Sequence, residues 1–147
     1  MLRFELPAAA AAGLSVCLLF ATLPARAETV HFKADLKGSE EVPPNDAKGT
    51  GNVQATYDTA SKKLTWTVTY SGLTGPATAA HFHGPAPAGT AAGIEVTVPG
   101  ADKSPIEGSA TLTDAQAKDL MDGMVYFNIH TDAHKAGELR GQLTKGM

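Results

Sequence analysis

The sequence has a single cysteine, Cys17, which lies in the first apolar stretch of the chain. The remainder therefore has no thiol that could form a disulfide or a thiolate–metal bond. The chain also lacks a strong excess of charge, since its net charge is −3. Because nucleic acids and anionic membrane surfaces attract basic proteins, neither is an expected partner. Any chemistry must come from side chains other than cysteine.

The first 27 residues have the pattern of a secretory signal peptide. A short basic start, Met1–Arg3, precedes an apolar run, Ala8–Leu23, and the small residues of "ARA" fit a cleavage site. The apolar run is short for a membrane span. We therefore expect cleavage after Ala27, a periplasmic or extracellular location, and no stable membrane anchor. Residues 28–147 then suit one domain with a single core.

Apolar and polar residues alternate along most of residues 28–147, a pattern typical of half-buried β-strands. In "KLTWTVTYS", Leu64, Trp66, Val68 and Tyr70 share one face, and threonines occupy the other. Similar patterns predict strands in "TVHFKADL" and "GNVQATYD", and at Thr78–His83, Ile94–Val98, Ile106–Leu112, Val125–Thr131 and Glu138–Leu143. Short strands with frequent Gly and Pro between them predict an all-β fold, an antiparallel, Greek-key-like β-sandwich of about eight strands.

One segment departs from the alternation. In "TDAQAKDLMDG", Thr113 and Gln116 have the spacing of a capping box, and Gly123 fits the end of a helix. This pattern predicts one short inserted helix, Asp114–Asp122. By contrast, residues 40–51, "EEVPPNDAKGTG", are predicted to form a long polar loop, because consecutive prolines cannot lie in a central strand.

Four histidines lie in two motifs near predicted strand ends. In "AAHFHGP", His81 and His83 are two residues apart and so point to the same side of a strand, with Phe82 on the other side. In "NIHTDAH", His130 lies near the end of another strand, and His134 follows it. Imidazole ligands without thiolates suit Cu(II) or Zn(II), whereas Ca(II) and Mg(II) require oxygen ligands. We predict that these four histidines bind one copper or zinc ion.

Three further residues are candidates for supporting the histidines. Tyr126 and Asn128 alternate with Phe127, so they share a strand face with the second histidine motif. Glu138 is predicted either to accept a hydrogen bond from a ligand imidazole or to pair with Arg140 and pin the last strand. No catalytic residue is predicted, because the serines lie in no nucleophile-elbow context and no phosphate-binding loop is visible.

Several motifs taken together resemble the CHRD domain, a family first described in chordin and common in secreted bacterial proteins. These motifs are "LKGSEEVPP", "YSGLTG" followed by "AAHFHGPA", "LTDAQAKDLMDGMVYFNIHT" and "GELRGQL", and they cover about Phe32–Leu143 in the family's order. The resemblance implies a β-sandwich. His134 and Lys135 depart from the residues that usually follow the "NvHT" motif of the family, which sets His134 apart from any family-wide site.

Three functions fit these observations. The first is an extracytoplasmic copper- or zinc-binding domain that serves storage, tolerance or delivery. The second is a protein-interaction or adhesion module, whose histidines only stabilise strand ends and whose partner is a protein. The third is a small copper redox enzyme, which requires an open coordination position and turnover. We favour the first and expect binding rather than catalysis, while the sequence leaves the oligomeric state open.

Overall fold

The computed structural model describes residues 26–146, which form nine β-strands, one α-helix and one 3-10 turn. The predicted signal peptide falls outside these residues except for its last two positions. The strands are β1 Thr29–Lys37, β2 Thr50–Asp58, β3 Lys63–Ser71, β4 Ala77–His83, β5 Ile94–Val98, β6 Ile106–Thr111, β7 Tyr126–Thr131, β8 Leu139–Gln142 and β9 Thr144–Lys145. The helix α1 is Asp114–Met121, and the 3-10 turn is Gly38–Glu40.

The strands form one antiparallel sheet that folds back on itself. Its order is β5-β4-β7-β8-β1-β2-β3-β6, with β9 beside β1. Trp66 of β3 and Phe82 of β4 pack edge to face with ring centroids 5.2 Å apart, although four strands separate β3 from β4 in that order. The two halves of the sheet therefore face each other across one core. The predicted all-β, antiparallel sandwich with one helix is confirmed.

The alternation in the sequence produces this core. Leu64, Trp66 and Val68 of β3 are at most 2% exposed, while the threonines between them face solvent. On the opposite half of the sheet, Phe82 of β4 packs against Phe127 of β7, with ring centroids 4.9 Å apart. Since neighbouring residues on a strand point to opposite faces, the residues on either side of each phenylalanine point away from the core.

The helix and the polar loop also lie close to their predicted positions. Thr113 Oγ1 accepts a hydrogen bond from the Gln116 backbone N–H, and the Gln116 side chain accepts one from the Thr113 N–H, so the capping box is formed. The helix ends at Met121, with Asp122 as its C-cap. Residues 41–49 form a loop before β2, but Glu41 in this loop is buried, which the polar sequence does not indicate. Among the described residues, no helix is long and apolar enough to cross a membrane.

Candidate metal centre

Three histidine rings meet where β4 lies beside β7. His81 and His83 extend from β4 on the side opposite Ala80 and Phe82, which are buried in the core. His130 extends from β7 beside them, and ligand nitrogens of the three rings all lie within 4.8 Å of one another. The closest pair is His81 Nδ1 and His130 Nε2, 3.1 Å apart. The strand pairing thus brings both histidine motifs of the sequence into one cluster.

Backbone carbonyls determine the tautomer of two of these rings. His83 Nδ1 lies 3.1 Å from the Ala92 carbonyl oxygen, and His130 Nδ1 lies 3.0 Å from the Lys135 carbonyl oxygen. A carbonyl only accepts hydrogen bonds, so each Nδ1 carries the proton and each Nε2 keeps its lone pair. Metal-binding histidines commonly donate their other N–H to such an acceptor. Both rings are therefore in the tautomer in which Nε2 can bind a metal ion.

One nitrogen in the cluster is buried without a hydrogen-bond partner. His83 Nε2 has no partner among the described residues, and His83 is only 9% exposed. An unsatisfied buried acceptor costs on the order of 1–3 kcal/mol, so such an atom requires an explanation. A bound cation would supply the missing interaction. His81 and His130 are half-buried, so the cluster is open to solvent on one side.

The surroundings keep all three rings neutral. Burial lowers the pKa of His81, His83 and His130 below the usual range for histidine. The neighbouring imidazoles lower the pKa of His81 further, because two positive rings in contact would repel each other. A neutral imidazole is the form that binds a metal ion. No ring therefore has to lose a net proton near neutral pH. Because His130 Nδ1 carries its proton, His81 Nδ1 donates to His130 Nε2, so the His81 proton must move to Nε2 before Nδ1 can bind an ion.

The ligand set fits copper or zinc. Nitrogens bound to one tetrahedral ion at about 2.0–2.1 Å lie about 3.3 Å from each other, close to the 3.1 Å between His81 and His130. No cysteine or carboxylate of residues 26–146 belongs to the group. Imidazole nitrogens suit copper and zinc, whereas calcium and magnesium require oxygen ligands.

A family model described as "CHRD domain" matches residues 32–143, which include most of β1, all of β2 to β8 and all three histidines of the cluster. The chain belongs to the CHRD domain family. Comparisons with curated proteins and with solved structures gave no match. CHRD domains occur in secreted and extracellular proteins, so membership supports a domain of the secreted type.

Tyr126 and Arg140 support His83 in this CHRD domain. The Tyr126 ring stacks on the His83 ring, with centroids 5.0 Å apart and planes 4° from parallel. Arg140 Cζ lies 3.5 Å from the centre of the Tyr126 ring, and its Nη2 donates to the Thr90 carbonyl at 2.6 Å. The Tyr126 hydroxyl accepts from the Ala92 N–H at 3.1 Å. These contacts hold the β4–β5 loop, residues 84–93, against the histidine cluster.

Asn128 lies on the same face but contacts a carboxyl group rather than an imidazole. Its side-chain amide donates to Glu41 Oε1 at 2.7 Å, and Glu41 is only 6% exposed. Burial raises the pKa of Glu41 to about 7, although the positive charge of Arg140 opposes this shift. Glu41 is not among the site residues predicted from the sequence. Its place in the family motif "LKGSEEVPP" is the one sequence feature that could have indicated it.

The structure does not bring the other two predicted site residues into the cluster. His134 is not a member of the three-histidine group, and its backbone N–H closes a turn by donating to Thr131. The Glu138 carboxylate accepts hydrogen bonds from the Thr74 N–H, the Thr74 hydroxyl and the Thr131 hydroxyl at 2.6–2.8 Å. These bonds satisfy both oxygens, so Glu138 pairs with neither an imidazole nor Arg140 among the described residues. Glu138 joins the end of β7 to the loop after β3.

Proposed function

We propose that this CHRD domain binds one copper or zinc ion outside the cytoplasm through His81 Nδ1, His83 Nε2 and His130 Nε2. The observation that carries the proposal is the pair of carbonyls, of Ala92 and Lys135, that fix the tautomers of two rings next to a third. Each carbonyl holds the proton on Nδ1 and leaves the Nε2 lone pair for an ion.

A purely structural role explains this arrangement less well. Histidines that only stabilise strand ends would bond backbone groups with both nitrogens or turn one nitrogen to solvent. His83 does neither, since its Nε2 is buried without a partner among residues 26–146. The closely packed rings also repel each other once protonated, as the lowered pKa of His81 indicates. The rings are therefore held neutral, and a cation bound by neutral imidazoles would give His83 Nε2 its missing partner, which favours metal binding over the interaction module.

The position of the cluster suits uptake and release of an ion. His81 and His130 are half-buried at the protein surface, so an ion held there would keep a side open to water. A bound ion would supply a Lewis-acid centre with an exchangeable position, while the chain contributes three neutral nitrogens and no anionic ligand. An accessible site of this kind fits storage, tolerance or delivery of metal. Delivery in the periplasm or outside the cell agrees with the secreted type of the domain.

Calorimetric titration of the metal-free secreted protein with Cu(II) and with Zn(II) tests this proposal. Elemental analysis after dialysis gives the stoichiometry. We expect one ion per chain, and at least about a hundredfold weaker binding in the His81→Ala/His83→Ala double variant. His31→Ala is the matched control, because His31 is exposed on β1 outside the cluster. His134→Ala tests the fourth predicted ligand in the same titration.

Two results would contradict the proposal. One is wild-type binding no tighter than that of an unrelated protein with exposed histidines. The other is equal affinity in the wild type and the double variant. In either case the "HFHGP" motif would be a structural strand end, and the protein-interaction module would become the favoured function.

A further inference from the structure

A buried guanidinium lies next to the histidine cluster without a carboxylate against it. Arg140 is 3% exposed, and among the described residues no acidic oxygen lies within 4.0 Å of it. Its Cζ lies 3.5 Å from the centre of the Tyr126 ring, and that ring stacks on His83 at 5.0 Å. One aromatic ring therefore separates a fixed positive charge from a metal ligand.

This charge acts unequally on ions of different charge. Three neutral imidazoles carry no negative charge to offset it, and no carboxylate or thiolate belongs to the group. The repulsion between Arg140 and a bound ion is proportional to the ion's charge, so a divalent ion is penalised about twice as much as a monovalent one. The two steps from Arg140 Cζ to the Tyr126 ring, 3.5 Å, and from that ring to the His83 ring, 5.0 Å, set a separation on the order of 8 Å. With an effective dielectric constant of about 20, this difference would be roughly thirtyfold in relative affinity.

We propose that Arg140 makes the three-histidine site selective for Cu(I) over Zn(II) and Cu(II). The inference rests on the function proposed above and names the ion and one specificity-determining residue. Cu(I) also accepts three ligands in a plane, so three imidazoles complete its coordination without an anionic fourth ligand. Zn(II) is almost always four-coordinate and would require a further ligand from solvent. The positive charge of Arg140 and the number of imidazole ligands thus both favour Cu(I).

Glu41 provides a natural control of opposite charge. It is buried and contacts Asn128, which lies across the β4–β7 pair from His81. Near neutral pH its carboxyl group is only partly ionised, because burial raises its pKa to about 7. It therefore offsets the charge of Arg140 only in part. Removing its carboxylate makes the local potential more positive, whereas removing the guanidinium makes it less positive.

The test compares Cu(I) and Zn(II) affinities of the full secreted chain in competition with chromophoric chelators. Cu(I) is maintained under anaerobic conditions with a reductant. In Arg140→Met, the ratio of Cu(I) to Zn(II) affinity should fall by about tenfold or more. Arg140→Lys keeps the positive charge, so its ratio of Cu(I) to Zn(II) affinity should stay within about threefold of the wild-type ratio. Glu41→Gln should raise the ratio. The Cu(II)/Cu(I) reduction potential should fall in Arg140→Met and rise in Glu41→Gln.

The outcomes separate this inference from the function on which it rests. If the wild type binds no metal, the proposed function fails. If the wild type binds metal but Arg140→Met leaves the ratio unchanged, or shifts it in the same direction as Glu41→Gln, only the role of Arg140 fails. Circular dichroism establishes whether each variant is folded. If Arg140→Met does not fold, the wild-type protein provides the test. A wild-type preference for Cu(I) over Zn(II) no greater than that of free imidazole overturns the inference.

Discussion

His81 Nδ1 and His130 Nε2 lie 3.1 Å apart, although the two residues are 49 positions apart in the chain. The contact exists because β4 and β7 are neighbours in the sheet and both direct large apolar residues into the core. The histidines are left together on the other face. This relationship connects the fold to the proposed site.

Copper or zinc should stabilise the folded domain. A ligand that binds only the native state at a hundred times its Kd adds about 2.7 kcal/mol to the free energy of unfolding. For a domain of this size, the melting temperature should rise by roughly 10 °C. Thermal unfolding followed by circular dichroism measures the shift. It should vanish in His83→Ala and persist in His31→Ala, and an equal shift in both variants would show that the ion binds elsewhere.

Tyr126 should position His83 for binding. Tyr126→Leu removes both the stacking on His83 and the hydrogen bonds to the β4–β5 loop. Metal affinity should fall by about 10–100-fold, the usual effect of losing a residue that orients a ligand. Tyr126→Phe keeps the stacking on His83 and should therefore lose less metal affinity than Tyr126→Leu. Titration of the folded variants measures both effects, and unchanged affinity in Tyr126→Leu would leave Tyr126 as a packing residue only.

Glu41 should make stability depend on pH. Its pKa is about 7 in the folded state, against 4.5 for an unperturbed glutamate. Because the folded state binds the Glu41 proton more tightly, the contribution of Glu41 to stability is fully present below pH 4.5 and is lost as the pH rises toward 7. As the pH rises from 4.5 to 7, the free energy of unfolding of Glu41→Gln should increase by on the order of 3 kcal/mol relative to that of the wild type. Urea unfolding across this range measures the gain.

The matched control for this experiment is Glu40→Gln, since Glu40 is the exposed neighbour of Glu41. That variant should follow the pH profile of the wild type. If Glu41→Gln also follows the wild-type profile, Glu41 is ionised in the folded state at neutral pH. Arg140 would then offset its charge more completely than the structure indicates.

Glu138 should stabilise the fold and leave metal binding unchanged. It is fully buried, and although burial raises its pKa, hydrogen bonds from Thr131 and Thr74 hold the pKa below its usual range. Glu138→Gln weakens these charge-assisted bonds and should cost about 2–3 kcal/mol of unfolding free energy. This contribution is present above pH 4.5 and lost as the pH falls through the folded-state pKa. Urea unfolding measures the loss.

Glu107→Gln is the control for Glu138, because Glu107 is exposed on β6. It should change stability by less than about 0.5 kcal/mol. A large loss of metal affinity in a folded Glu138→Gln protein would instead support the alternative in which Glu138 orients a ligand imidazole.

Much of the fold could be predicted because it depends on local patterns. The alternation in "KLTWTVTYS" predicts which side chains of β3 are buried, since successive residues on a strand point to opposite faces. The capping box at Thr113 and Gln116 predicts the start of the helix, since its hydrogen bonds join residues only three positions apart. The spacing of His81 and His83 likewise places both on one side of β4.

Only the tertiary structure decided which distant residues meet. Glu138 bonds Thr74, 64 positions away, and Asn128 bonds Glu41, 87 positions away. No local pattern in "GELRGQ" or "EEVPP" indicates these partners, so the sequence predicts Glu138 beside an imidazole or Arg140, and Glu41 in a long polar loop. The physical reason is that strand order depends on how whole apolar faces pack together, whereas alternation determines only which face each side chain occupies.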